Sequence, residues 1–122
     1  MPSILVIDND DNVREFLRTT LSAAGYTVHE AANGRLGVRS FRKTPADLVI
    51  TDLYMPECDG LEVIEALRRS HPRVKVLAIS GASGTMGYLH VAQSLGAVSV
   101  LSKPFAPSAL LTLVADLLKS DV

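Results

Sequence analysis

The stretch Asp47-Leu-Val-Ile-Thr-Asp52-Leu-Tyr-Met-Pro56-Glu-Cys-Asp-Gly60 sets a carboxylate at the end of an apolar run, just before a sharply turning loop. A carboxylate held there can act as an oxygen nucleophile and be phosphorylated. Two more apolar runs end in polar residues, one in Ile7-Asp8-Asn9-Asp10-Asp11 and one in Lys103-Pro104-Phe105, and a further run, Val76-Leu-Ala-Ile, leads to Ser80. Transfer of a phosphoryl group to a carboxylate needs a nucleophile, a divalent cation to neutralise the equatorial oxygens, and fixed donors for the charge that remains. Taken singly these residues say little. An Asp at a strand end is more often a helix cap than a catalyst, so Asp10 or Asp11 is expected to cap the helix that follows.

The elements that must position them follow from hydrophobic spacing. Residues 4–8, 27–31, 48–52, 74–80 and 98–101 have the character of strands, and three of these runs are nearly continuous Val, Ile and Leu, as in strands buried on both faces. Helical spacing fills the gaps. Over residues 12–24, Val13, Phe16, Leu17, Leu21 and Ala24 share a face, and Gly25 stops the helix. Asn33 caps a second helix, residues 61–69 give a third, and residues 88–95 a fourth ended by Gly96. Pro107 suits the first turn of a fifth, with Leu110, Leu111, Val114, Leu117 and Leu118 on its apolar face. Strands alternating with helices imply right-handed crossovers and a parallel sheet covered on both sides, a doubly wound α/β fold. Ligands in such sheets sit beyond the carboxyl ends of the strands, where Asp8, Asn9, Asp52, Ser80 and Lys103 all fall.

This order of segments, from residue 4 to about residue 118, resembles the receiver domain of bacterial two-component response regulators. The acidic cluster, Asp52-Leu-Tyr-Met-Pro56 with Asp59-Gly60 after it, Ser80, and Lys103-Pro104-Phe105 carry the resemblance together. It implies a flavodoxin-like, five-stranded parallel sheet in the order 2-1-3-4-5 with five helices. It further implies that Asp52 is the phosphoacceptor, that Lys103 contacts the phosphoryl group across a cis bond to Pro104, and that the Ser80 hydroxyl swings toward a phosphoryl oxygen while Gly81 leaves room for the donor. The implied cofactor is Mg²⁺, with Asp8, Asn9, Asp52 and the backbone carbonyl of Tyr54 as ligands or water-mediated partners. Such a chain accepts its phosphoryl group from a sensor histidine kinase or histidine phosphotransfer protein and signals by contact with a downstream protein. It catalyses only its own phosphorylation and dephosphorylation.

Two positions depart from the family pattern. The usual second acid is Asn9, which offers an amide oxygen but no charge. A full charge about 4 Å from a cation gains roughly 4 kcal/mol per unit charge at an effective dielectric near 20, before desolvation offsets much of it, so weaker metal binding is expected. Asp10 either supplies the missing charge through water or caps the helix. Three residues before Lys103, where many receivers carry Tyr or Phe, this chain has Val100, so output must pass through loop movement or another surface. These departures suggest an alternative, a phosphorylation-independent interaction module. A remoter one is a haloacid-dehalogenase-like phosphatase built on Asp8-Asn9-Asp10, although that family needs a further acidic pair and usually more chain.

Bulk composition narrows the remaining classes. At 122 residues a single domain spanning 1–122 is expected, without room for an output module of ordinary size. The formal net charge of -1 gives no reason to expect direct nucleic-acid binding, and the apolar residues, 48% of the chain, come in runs too short to span a membrane. Met1-Pro2-Ser3 lacks the features of a signal peptide, which suggests a cytoplasmic protein. Cys58 is the only cysteine, and His29, His71 and His90 show no ligand spacing. The run Gly81-Ala-Ser-Gly84-Thr-Met-Gly87 matches no nucleotide-binding fingerprint and has the look of a mobile loop. Homodimerisation through the last helix-strand-helix face is left open.

Overall fold

In the computed structural model, residues 2–53, 60–80 and 99–119 are described. The elements run β1 (Ser3–Ile7), α1 (Asp11–Ala23), β2 (Thr27–Ala31), α2 (Gly34–Lys43), β3 (Leu48–Asp52), α3 (Gly60–Ser70), β4 (Val76–Ser80), β5 (Ser99–Ser102) and α4 (Pro107–Lys119). All strand pairings are parallel, and the sheet order is β2-β1-β3-β4-β5. The expected helix over residues 88–95 lies outside the described residues. β4 begins at Val76 rather than residue 74, and β5 runs on to Ser102, one residue past the expected end, while residue 98 lies outside the described residues.

Local chemistry sets the ends of the helices. Asp10 caps α1, its carboxylate accepting the amides of Asn12 at 2.9 Å and Val13 at 3.3 Å. Of the two roles open to Asp10, the structure shows the cap, a contact that contributes about 1 kcal/mol to a helix. At the other end Gly25 takes a φ of 99°, a left-handed turn that a Cβ would strain. Asn33 caps α2 by accepting the Leu36 amide at 2.8 Å.

Strand pleating divides the core between two faces. Ile4 and Val6 of β1, Leu48 and Ile50 of β3, and Leu77 and Ile79 of β4 pack with Leu17 and Leu21 of α1 and with Leu110, Val114 and Leu117 of α4. Leu5, Ile7, Val49, Val76 and Ala78 point the other way, onto Val38 and Phe41 of α2 and Val63, Ile64 and Leu67 of α3. The central strands are therefore apolar on both sides, which explains their unbroken aliphatic runs. Each fully buried Leu or Ile stabilises the fold by about 1.5–3 kcal/mol relative to exposure. His29 is exposed on β2, while His71 meets the ring of Phe41 edge-on at 4.8 Å; His90 and Cys58 lie outside the described residues. Val100 is partly buried against the core on the α2 and α3 face.

Candidate functional site

Parallel strands deliver their C-terminal ends to one edge, so residues far apart in sequence meet there. Asp8 follows β1 directly, and its amide continues the ladder by donating to the Ala31 carbonyl at 3.2 Å. Asp52 ends β3 opposite Ile79, and Lys103 follows β5 at once. The Lys103 Nζ lies 3.6 Å from Asp8 Oδ2 and 3.6 Å from Asp52 Oδ2, bridging the two carboxylates. The Lys103–Pro104 peptide is cis.

The two carboxylates differ in environment. Asp8 is 0% exposed; the Asp10 amide donates to its Oδ1 at 2.9 Å, whereas its Oδ2 is buried with no hydrogen-bond partner. Burial pushes the Asp8 carboxyl above the ordinary carboxylate range, and the nearby charges of Asp52 and Asp10 add to this, while the Asp10 amide and Lys103 oppose it. Asp52 keeps 9% of its side-chain surface exposed, less than a fully open nucleophile would have. Its neighbour Thr51 is buried and donates its hydroxyl to the Asp52 carbonyl at 3.0 Å.

Asp8, Asp52 and Lys103 are thus brought together. Asn9 occupies the same loop but is exposed. Ser80 ends β4 in register with Ser102, although its hydroxyl is outside what is described. The Tyr54 carbonyl, Gly81 and the Gly81–Gly87 run also lie outside the described residues. Among the described residues, no group of three or more His, Cys, Asp and Glu could hold a metal ion. What is present is a pair of carboxylates, Asp8 and Asp52, with one buried oxygen that accepts no hydrogen bond. That arrangement suits a hard cation that retains most of its water.

Two supports were not evident from the sequence. Arg14 on α1 donates from Nη1 to the Asp8 carbonyl at 2.8 Å, and it also pairs with Asp11 and, at 3.4 Å, with Glu30 of β2. Its guanidinium ties the loop bearing Asp8 to both neighbouring elements. Gly60 is the buried first residue of α3, and its amide donates to the Leu53 carbonyl at 3.1 Å. A Cβ there would run into the Asp52 carbonyl and the Leu53 Cα. The Asp-Gly dipeptide that begins seven residues after Asp52 is the available signal for Gly60; Arg14 has the look of any polar helix position.

An apolar shelf adjoins the carboxylates. Val13 and Phe16 of α1 line it with Pro104 and Phe105, next to Lys103. The rings of Phe16 and Phe105 lie 6.1 Å apart, tilted by 55°, and Phe16 remains 36% exposed. Among the described residues, no helix is long and apolar enough to cross a membrane.

Comparison with known proteins agrees with this architecture. The family model described as "Response regulator receiver domain" matches residues 4–115. The chemotaxis protein CheY of Thermotoga maritima is 33% identical over 106 residues, covering 86% of this chain and 88% of that protein. The response regulator MprA of Mycolicibacterium vanbaalenii is 37% identical over 116 residues, covering 95% of this chain but only 50% of MprA, so the chain spans half that relative's length. Among solved structures, the chemotaxis protein CheY4 of Vibrio cholerae superposes with a TM-score of 0.89 at 28% identity, covering 96% of this chain and 98% of CheY4. With its sheet order, its site at the strand ends and the family match over nearly its whole length, the chain belongs to the receiver domains of two-component response regulators, which are signalling modules rather than classical enzymes.

Proposed function

We propose that Asp52 accepts a phosphoryl group from the phosphohistidine of a sensor histidine kinase or phosphotransfer protein, in a Mg²⁺-dependent reaction in the cytoplasm. The observation that carries this reading is Lys103 Nζ, 3.6 Å from an oxygen of each of Asp8 and Asp52. That amine is a fixed positive donor at the strand edge, placed to contact an incoming phosphoryl oxygen once a divalent cation offsets the two carboxylates.

The step itself is an in-line displacement. A carboxylate oxygen of Asp52 attacks phosphorus, the bond from phosphorus to the donor nitrogen breaks, and the leaving imidazole takes up a proton. Lys103 holds positive charge where the phosphoryl oxygens arrive, and Ser80 supplies a hydroxyl to one of them. Asp8 and Asp52 would hold Mg²⁺, with Asn9 and the Tyr54 carbonyl as further oxygen ligands, direct or through water; when bound, the ion neutralises the equatorial oxygens. The Oδ2 of Asp8, buried and accepting no hydrogen bond, supports this assignment. The complete burial of Asp8 and the capping role of Asp10 favour Asp52 over either of them as nucleophile.

The shelf formed by Val13, Phe16, Pro104 and Phe105 gives a donor protein an apolar footing beside the nucleophile. The phosphorylated domain signals by contact with a downstream protein. In the test, the protein is incubated with Mg²⁺ and acetyl phosphate, or with a phosphorylated kinase, and its intact mass is measured. Gain of one phosphoryl group, absent in Asp52→Asn and in EDTA, supports the reading; no gain counts against it. The second reading, an interaction module indifferent to phosphorylation, draws on the uncharged Asn9 and on Val100 packed where receivers often carry an aromatic ring. It requires Asp52→Asn to leave partner binding unchanged.

A further inference from the structure

The outer face of α2 carries a charge pattern that the phosphoryl site does not use. Arg35, Arg39, Arg42 and Lys43 fall within nine residues, and no acid occurs between Glu30 and Asp47, in a chain whose formal net charge is -1. All four cations are exposed, and none takes part in an ion pair among the described residues. The spacing of the three arginines, four residues and then three, sets them in one row along a helix. They line a groove of about 480 Å³ between α2 and α3, whose other lining residues are Val38, Glu62 and Ala66. Leu36, on the same helix, is 44% exposed, the most exposed large apolar side chain among the described residues.

We infer that this α2–α3 groove is a docking surface for an acidic, amphipathic helical segment of a partner protein. Charge complementarity selects the sign of the occupant. Planar guanidinium groups pair with carboxylates in a forked geometry, and a row of them matches carboxylates spaced by one helical turn. The apolar part of the surface selects the class: over a floor made by the core residue Val38, half-buried Ala66 in the groove and exposed Leu36 on the same helix offer contact to the aliphatic side chains of an amphipathic helix, whereas a nucleic-acid backbone has nothing apolar to place there. Glu62 on the α3 side discourages a uniformly anionic polymer and favours a segment with mixed side chains. None of the residues lining the groove belongs to the set Asp8, Asp52 and Lys103.

The test uses a fluorescein-labelled helical peptide of about 18 residues, long enough to hold helix, built from Glu, Ala and Leu with the leucines on one face. Binding is followed by anisotropy against the intact protein. The triple variant Arg35→Gln, Arg39→Gln, Arg42→Gln is expected to bind about tenfold or more weakly, with its circular dichroism unchanged because all three residues are exposed. Leu36→Ser is expected to weaken binding about threefold, and binding by the wild type is expected to fall as salt rises. Equal binding by the triple variant, or no effect of Leu36→Ser, would overturn the inference. So would tighter binding of single-stranded DNA of matched length, or of phosphatidylglycerol vesicles, than of the peptide.

Discussion

Replacing Asp8 with Asn separates the cost of a buried charge from its use. Asp8 is fully buried, one of its oxygens has no hydrogen bond, and its carboxyl is pushed above the ordinary range chiefly by burial. Lys103 at 3.6 Å contributes a gross attraction of roughly 4–5 kcal/mol at an effective dielectric near 20, but the same amine lies equally close to Asp52 and keeps that partner in the variant. Asn retains the acceptor for the Asp10 amide and removes the charge. Leaving a buried neutral polar atom unsatisfied costs about 1–3 kcal/mol and a charged one more, so the variant is expected to gain about 1–2 kcal/mol in EDTA at neutral pH. For a chain of this size that is a rise in Tm of about 4–8 °C.

The pH dependence carries the sign. A folded-state pKa above the unfolded value means that the contribution of Asp8 to stability is fully present below the unfolded pKa and is lost as pH rises through the folded pKa. The advantage of Asp8→Asn should therefore appear on the neutral side and shrink as pH falls through that window. Urea unfolding followed by circular dichroism, in EDTA and in excess Mg²⁺, measures both effects. Excess Mg²⁺ should stabilise the wild type and do little for the variant. A variant less stable than wild type in EDTA at neutral pH would refute the reasoning.

Three further outcomes are expected. Asn9→Asp should tighten Mg²⁺ binding by about tenfold, most of the gross Coulomb gain being offset by desolvation, and equal affinities by titration calorimetry would remove Asn9 as a handicap. Gly60→Ala should cost about 1–3 kcal/mol in urea unfolding, because the new Cβ meets the backbone of Asp52 and Leu53, and should slow acetyl phosphate labelling as well. A variant as stable and as readily labelled as wild type would show that this close approach is not required. Phe16→Ala should slow transfer from a phosphorylated kinase while leaving labelling by acetyl phosphate unchanged, since the small donor has no use for the apolar shelf; equal loss with both donors would contradict that role.

The sequence revealed the fold where one physical effect dominated. β1, β3 and β4 are flanked by helices on both sides, so their aliphatic runs needed no tertiary context to be recognised. Parallel pairing then forced Asp8, Asp52 and Lys103 to one edge. The edge strands β2 and β5 carry exposed or half-exposed residues, and the end of β5 at Ser102 is correspondingly less legible in the sequence. What stayed hidden depended on competition or on a distant neighbour. Asp10 could serve a helix amide or a cation, and only the backbone path decided for the amide. Gly60 and Arg14 matter through what lies against them, the Asp52–Leu53 backbone and the Asp8 carbonyl, and hydrophobic periodicity records neither. The arginine row of α2 raises no expectation, because its groove exists only where α3 packs beside it.

Reductive trapping tests the central assignment most directly. After phosphorylation with acetyl phosphate and Mg²⁺, borohydride converts an aspartyl phosphate to homoserine, and peptide mass spectrometry locates the converted residue. The account predicts homoserine at position 52 and nowhere else. Conversion at position 8, or none at all in protein shown to be folded and Mg²⁺-loaded, would contradict it.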